Sequence, residues 1–255
     1  MLCAIEDIGL RNYQEDRHSI CFNFFEDFHY LAVFDGHGDD KVAIFLKLYL
    51  KDVIKTELQN FYPKKTIEQC LFDSFKKINA ILPKDISNHS GSTALVIIKK
   101  NTLLYIANVG DSRVIINSNN NAFPISEDHK PSEISEYTRI LNLGGHVIKD
   151  PYGTHRVNGT LSLSRAIGDL YLKPYVSSVP DIYTVKLSKS NNYLIAASDG
   201  LWDVFDNQEL INLVNANNIV NDISDCKIKE ICKKIVSVAR LKGSGDNITI
   251  LFLML

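Results

Sequence analysis

Four times in this 255-residue chain an apolar, strand-forming run meets an aspartate. Tyr30-Leu-Ala-Val-Phe34 stops at Asp35 with Gly36 directly after it, and Tyr105-Ile-Ala-Asn-Val109 runs through Gly110 into Asp111. Tyr193-Leu-Ile-Ala-Ala-Ser198 ends at Asp199-Gly200, whereas Asp246-Asn247 precedes its run, Ile248 to Leu253. Aromatic and β-branched residues favour strands, and the glycines permit turns and close backbone approach. An antiparallel strand beginning where its neighbours end would bring all four carboxylates to one sheet edge. Two carboxylates about 4 Å apart repel by roughly 4 kcal/mol at an effective dielectric of about 20. Four together need protons or cations, and no Lys or Arg is adjacent in sequence to Asp35, Asp199 or Asp246. Divalent metal is the natural resident. One Asp-Gly alone reads as a turn; the repeated apolar lead-ins argue for more.

Composition removes several alternatives. With 28 basic and 30 acidic residues the net charge is −2, so no basic field points to nucleic acid or an anionic membrane. No apolar run approaches the about eighteen residues that span a bilayer. Glu6 and Asp7 stand where a secretory signal would be apolar, which places the expectation inside the cell, cytoplasmic or nuclear. The five cysteines form no C-x-x-C pair and leave an odd number, the pattern of inert intracellular thiols rather than a zinc site.

Helical spacing marks the segments between the strands. After Asp39 or Asp40 as cap, Val42, Phe45, Leu46, Tyr49, Val53 and Ile54 predict a helix through Gln59. Thr66 and Gln69 make a capping box for a second helix ending near Leu82, before Pro83. Ala94–Ile98 and Leu103–Val109 read as a hairpin about Asn101, and Val114–Ile116 as a further strand. Asn117 to Asn121 reads only as a polar turn. A short helix is expected over Pro131–Leu143, stopped by Gly144-Gly145. Asp206 and Glu209 open another helix to about Asn215, and Ile228, Ile231, Cys232, Ile235 and Val238 mark a last one. Residues 145–176 lose periodicity and read as a mobile flap beside the site. Within it, the spacing of Arg165 and Asp169 suggests a local ion pair or an anchor for the flap. Asp128 and His129 read as structural.

Taken together, the blocks Arg11-x-x-x-Glu15-Asp16, Asp35-Gly-His-Gly38, Ser90-Gly-Ser-Thr-Ala94, Gly110-Asp-Ser-Arg113 and Asp128-His-Lys-Pro131 resemble the metal-dependent serine/threonine protein phosphatases of the type 2C family. The order continues with Arg156-Val-Asn-Gly159, Leu163-Ser-Arg-Ala-Ile-Gly-Asp169, Asp199-Gly-Leu-Trp-Asp203 and Asp246-Asn247. Asp39 departs from it, standing where a glycine or another small residue is usual. The resemblance implies a single α+β domain over residues 1–255: a four-layer α-β-β-α sandwich, two mainly antiparallel sheets flanked by helix pairs.

It also implies two Mg²⁺ or Mn²⁺ ions. Asp35 would bridge both, the Gly36 carbonyl would join the second, and Asp199 and Asp246 would complete the first. Glu15 and Asp16 would hold metal-bound water, with Thr93 and Asn247 supporting the shell. Asp111, Asp199 and Asp203 match a weaker third-metal site, although Asp203 could equally serve the Trp202 turn. Oxygen-only ligands suit hard cations. A hydroxide shared by two metals would attack phosphorus in line, Arg11 would grip phosphate with its planar fork, and His37 would protonate the leaving oxygen. The implied partners are phosphorylated proteins, with no nucleic acid and no membrane span, and a monomer is expected. The alternatives are an inactive relative that only binds partners, and a hydrolase of small phosphoesters or nucleic acid. An inactive relative would be expected to have lost Arg11 or the carboxylates, all of which are present.

Overall fold

The computed structural model describes residues 1–217 and 224–255. Strand alternation explains its layers. In Ala94–Lys100, Leu95 and Ile97 point to one face and Ala94, Val96 and Ile98 to the other, and all five are fully buried. A strand apolar on both faces must be covered on both.

The longer strands are β1 (Leu2–Asp7), β2 (Arg17–Phe25), β3 (Phe28–Phe34), β4 (Ala94–Lys100), β5 (Leu103–Val109), β6 (Arg113–Ser118), β7 (Asn121–Pro124), β8 (Asp181–Lys186), β9 (Asn191–Ala197) and β10 (Ile248–Met254). They form two antiparallel five-stranded sheets, ordered β1-β10-β9-β6-β7 and β8-β5-β4-β3-β2. Alternate residues of the facing sheets, including Leu31, Val33, Leu95, Ile97, Leu194, Ala196 and Leu251, make the central core.

The outer faces are covered by helices. Helices α1 (Lys41–Phe61) and α2 (Ile67–Ile81) pack Leu46, Leu50, Leu71 and Phe75 over the second sheet. The short helix α3 (Ile134–Asn142) lies elsewhere, while α4 (Asn207–Asn215) and α5 (Asp225–Leu241) cover the first sheet through Leu210, Ile211, Ile231 and Ile235. This is the mixed α and β sandwich that the resemblance implied. Each fully buried Leu or Ile contributes about 1.5–3 kcal/mol by leaving water. Among the described residues, no helix is long and apolar enough to cross a membrane.

Local chemistry sets the helix ends. The Thr66 hydroxyl accepts from the Gln69 amide at 3.2 Å and the Gln69 side chain accepts from the Thr66 amide at 3.1 Å, completing the expected box. Asp40 occupies the start of α1, but its carboxylate goes to Arg17 at 2.6 Å, and Asp39 accepts the Lys41 amide instead at 3.0 Å. The helix expected over Pro131–Leu143 is shorter.

Two readings change. Asn117–Asn121 is not only a turn: Asn117 and Ser118 continue β6, and Asn121 begins β7. The reversal is confined to Asn119 and Asn120, both at positive φ (49° and 66°), as a two-residue hairpin loop requires. The aperiodic stretch 145–176 also contains regular structure. It holds a hairpin of Val147–Lys149 with His155–Val157, and a small core joining Ile140 of α3 to Val157, Ala166, Leu172 and Val176. Elements of two or three residues are too short to show a period.

Candidate active site

Asp35 follows the last residue of β3, Asp111 lies between β5 and β6, and Asp199 follows β9 across Ser198. Strand direction brings the three ends together: a carboxylate oxygen from each lies within 4.8 Å of the others. Asp111 is buried, whereas Asp35 and Asp199 keep a partly open edge. One Asp111 oxygen, Oδ1, is buried with no hydrogen-bond partner among the described residues. Burial pushes the Asp35 carboxyl well above the usual range, and the charges of Asp199, Asp16, Asp111 and Asp246 push it further. Asp199 is raised by burial and then by Asp111 and Asp203, with Lys130 opposing. Converging oxygens, an orphaned acceptor and mutual repulsion are what a divalent cation would relieve, so the residues fit a metal.

Asp246 stands beside this trio, not within it. Its carboxylate accepts from Arg11 Nη2 at 2.6 Å, and both side chains are substantially exposed. The cations missing from the local sequence therefore come from a distance: Arg11 reaches Asp246, and Lys130 reaches Asp111. Asp203 is exposed at the end of the short helix Asp199–Trp202, where its amide donates to the Asp199 carbonyl at 2.8 Å.

The supporting residues are fixed by backbone contacts. Asn247 donates to the carbonyls of Ile8 (2.9 Å) and Tyr13 (3.0 Å) and accepts the Glu15 amide (2.8 Å), clamping the loop that carries Arg11. Asp16 is buried and accepts from Ser198 Oγ at 2.6 Å; burial raises its carboxyl to about 6. Burial raises Glu15 as well. Thr93 Oγ1 accepts the Asp35 amide at 3.0 Å and meets Ser112 Oγ at 2.7 Å, tying the ends of β3 and β4 together. At Gly36 a Cβ would stand 2.7 Å from the Glu15 carbonyl oxygen, so the approach of these two loops excludes a side chain.

His37 has a buried carboxylate for a neighbour. A small sheet of Gly36–His37, Gly91–Ser92 and Ile167–Gly168 places its Nε2 2.7 Å from Oδ2 of buried Asp169. A Cβ on Gly91 would collide with both groups. Asp169 itself is left-handed, at φ 49°. The local pair expected between Arg165 and Asp169 is therefore not formed. Arg165 instead binds Glu136 at 2.8 Å and Asp181 at 2.7 Å, because the chain at 167–168 turns into the small sheet and carries Asp169 away. Asp128 and His129 are structural as read, bonded to Arg113 and to the Gly110 amide.

Residues 6–248 match the family model described as Protein phosphatase 2C. The chain belongs to the protein phosphatase 2C family. Among its relatives, a probable protein phosphatase 2C of Arabidopsis thaliana is 40% identical over 86% of this chain. This chain spans only 46% of that protein's length. A probable protein phosphatase 2C of Paramecium tetraurelia is 32% identical over 96% of this chain and 89% of its own. Among solved structures, a sex-determining protein of C. elegans superposes with a TM-score of 0.91 at 27% identity, over all of this chain and 64% of that one. Two residues of this 2C-family site escaped prediction as members of it: Asp169 as the partner of His37, and Lys130 as the partner of Asp111. Their only trace was inclusion in the blocks Leu163–Asp169 and Asp128–Pro131, since nothing in local spacing says which loops meet.

Proposed function

We propose that this chain hydrolyses phosphoserine and phosphothreonine esters in proteins, as one catalytic unit using two Mg²⁺ or Mn²⁺ ions and a weaker third. The observation that carries the reading is the convergence of Asp35, Asp111 and Asp199 within 4.8 Å. Asp35, the Gly36 carbonyl, Asp199 and Asp246 would hold the principal cations, and Asp111, Asp199 and Asp203 the third. When bound, these ions supply Lewis acidity that activates water and offsets phosphate charge. The donor set, oxygen throughout, favours hard cations over zinc or copper.

The chain's own groups then divide the work. Arg11, half-exposed and held by Asp246, presents a guanidinium fork able to take two phosphate oxygens. Asn247 keeps that loop in place. His37, two residues after Asp35 and partly exposed, supplies the proton to the departing serine or threonine oxygen. Asp169 accepts from Nε2, so it fixes the ring and leaves Nδ1 for the leaving group.

The reading is tested by phosphate release from a panel of phosphoserine, phosphothreonine and phosphotyrosine peptides in Mn²⁺. Turnover of the first two with little of the third is expected, and no turnover of any peptide would reject it. For His37→Ala the expected loss is about 10²–10⁴-fold on alkyl phosphates, which leave poorly, and much less on an activated aryl phosphate. Asp169→Asn should show the same leaving-group dependence in weaker form and add little to His37→Ala. Equal losses on both substrates would remove the pair from proton transfer.

A further inference from the structure

Lys130 is the one cation in direct contact with the acidic trio among the described residues, and the fold holds it there through the two residues before it. Its neighbour His129 is clamped to the end of β5: the His129 amide donates to the Gly110 carbonyl at 3.0 Å, and the Gly110 amide donates to His129 Nδ1 at 3.0 Å. Just before it, Asp128 accepts from Arg113 at 2.9 and 2.6 Å. The Lys130 ammonium is thereby delivered to Asp111 Oδ2. The negative charges that act on it are those of Asp111, Asp199 and Asp203. These are the three carboxylates assigned above to the weaker third cation.

The ammonium leaves the site unfinished. It satisfies Oδ2 of Asp111, but buried Oδ1 has no partner. A single positive charge among three carboxylates leaves most of their repulsion in place, so a divalent ion still gains by entering. The Lys130 side chain is 32% exposed, which gives its head a way out to solvent when displaced.

We propose that the Lys130 ammonium holds the place of the last divalent cation at this centre, so that this ion binds only by displacing it. The inference rests on the metal reading above. The consequence is a site rich in charge whose affinity is lowered: the incoming ion must break an ion pair already made, and the released lysine remains nearby as a competitor. Lys130 thereby sets how many ions the centre holds at a given concentration.

The test is Mn²⁺ binding to the chelator-stripped full chain, followed by the electron spin resonance of free Mn²⁺, with thermal melting in chelator as a check of folding. Lys130→Met, which keeps length and removes charge, is expected to tighten the weakest binding step at least tenfold and the stronger steps less. Lys130→Gln, which keeps a hydrogen-bond donor for Asp111, should behave as Lys130→Met does, and Lys130→Arg as the native chain. Unchanged or weaker binding in both neutral variants would overturn the inference, making Lys130 a support for Asp111 and not a rival of the ion. Tightening with Met but not Gln would also overturn it, because hydrogen bonding and not charge would then be responsible. Failure of the native chain and every variant to bind Mn²⁺ would overturn the metal reading itself, and this inference with it.

Discussion

Asp199→Asn is expected to lower phosphopeptide turnover by more than about 100-fold and, in the metal-free protein, to raise the melting temperature by a few degrees. The first figure is a floor, since even outer-shell partners of a bound metal commonly cost about 10–100-fold when removed. The second follows from the same carboxylate seen without its ion. Burial, then Asp111 and Asp203, raise its folded pKa. In the unfolded chain it titrates near the ordinary value of about 3.9. Below that pH it is protonated in both states and costs nothing. As pH rises from there through the folded pKa, the unfolded chain gives up its proton more readily than the fold does, so native stability falls, and the loss is complete once the folded carboxyl has ionised as well. Asparagine has nearly the same shape and no charge. Its expected gain at neutral pH is about 1–3 kcal/mol, the range that one uncompensated buried polar group commands. The measurements are steady-state hydrolysis in Mn²⁺ and melting in chelator. Near-normal turnover, or a lower melting temperature without metal, would show that Asp199 does not belong to a cation-holding cluster.

Stripping divalent ions from the native chain should abolish phosphopeptide hydrolysis, and Mn²⁺ or Mg²⁺ should restore it. A second readout needs no substrate. Saturating Mn²⁺ should raise the melting temperature, because a ligand bound only by the folded state stabilises it. That rise should be larger at pH 8 than at pH 5. The sign comes from Asp35 and Asp199, both raised, and from Asp16, raised to about 6. At pH 5 part of this cluster keeps its protons in the metal-free fold, so the ion must displace them and gains less. At pH 8 the repulsion is greater and the ion relieves more of it. Full turnover in excess chelator would end the metal mechanism. A stabilisation independent of pH would place the ion away from these carboxylates.

The helices were legible because a 3.6-residue stripe and a capping pair such as Thr66 and Gln69 are written over short distances. The aspartates were legible for a related reason: each ends or begins an apolar strand, and antiparallel pairing turns that into a shared edge. The sandwich itself came from the resemblance, because strand order could be matched to it but could not select it. What spacing concealed was the partner of each charge. Arg165 and Asp169 are four residues apart yet serve different neighbours, since the small strand between them turns Asp169 toward His37 across 132 residues of chain. Lys130 was hidden in the same way, its place set by a His129–Gly110 clamp that no periodicity announces. Residues 218–223, between the two late helices, lie outside the described structure.

The Asn247 clamp ties together two stretches that are made far apart in time. Glu15 waits 232 residues for the amide side chain that fixes its loop, and β1 waits longer still for β10. Contacts so distant along the chain close late and slowly. On the ribosome, the arginine loop of a growing polypeptide therefore stays unanchored until Asn247 and the strand after it emerge. A polypeptide released before Asp246 and Asn247 are made carries neither the clamp on the Glu15 amide nor the carboxylate that Arg11 meets.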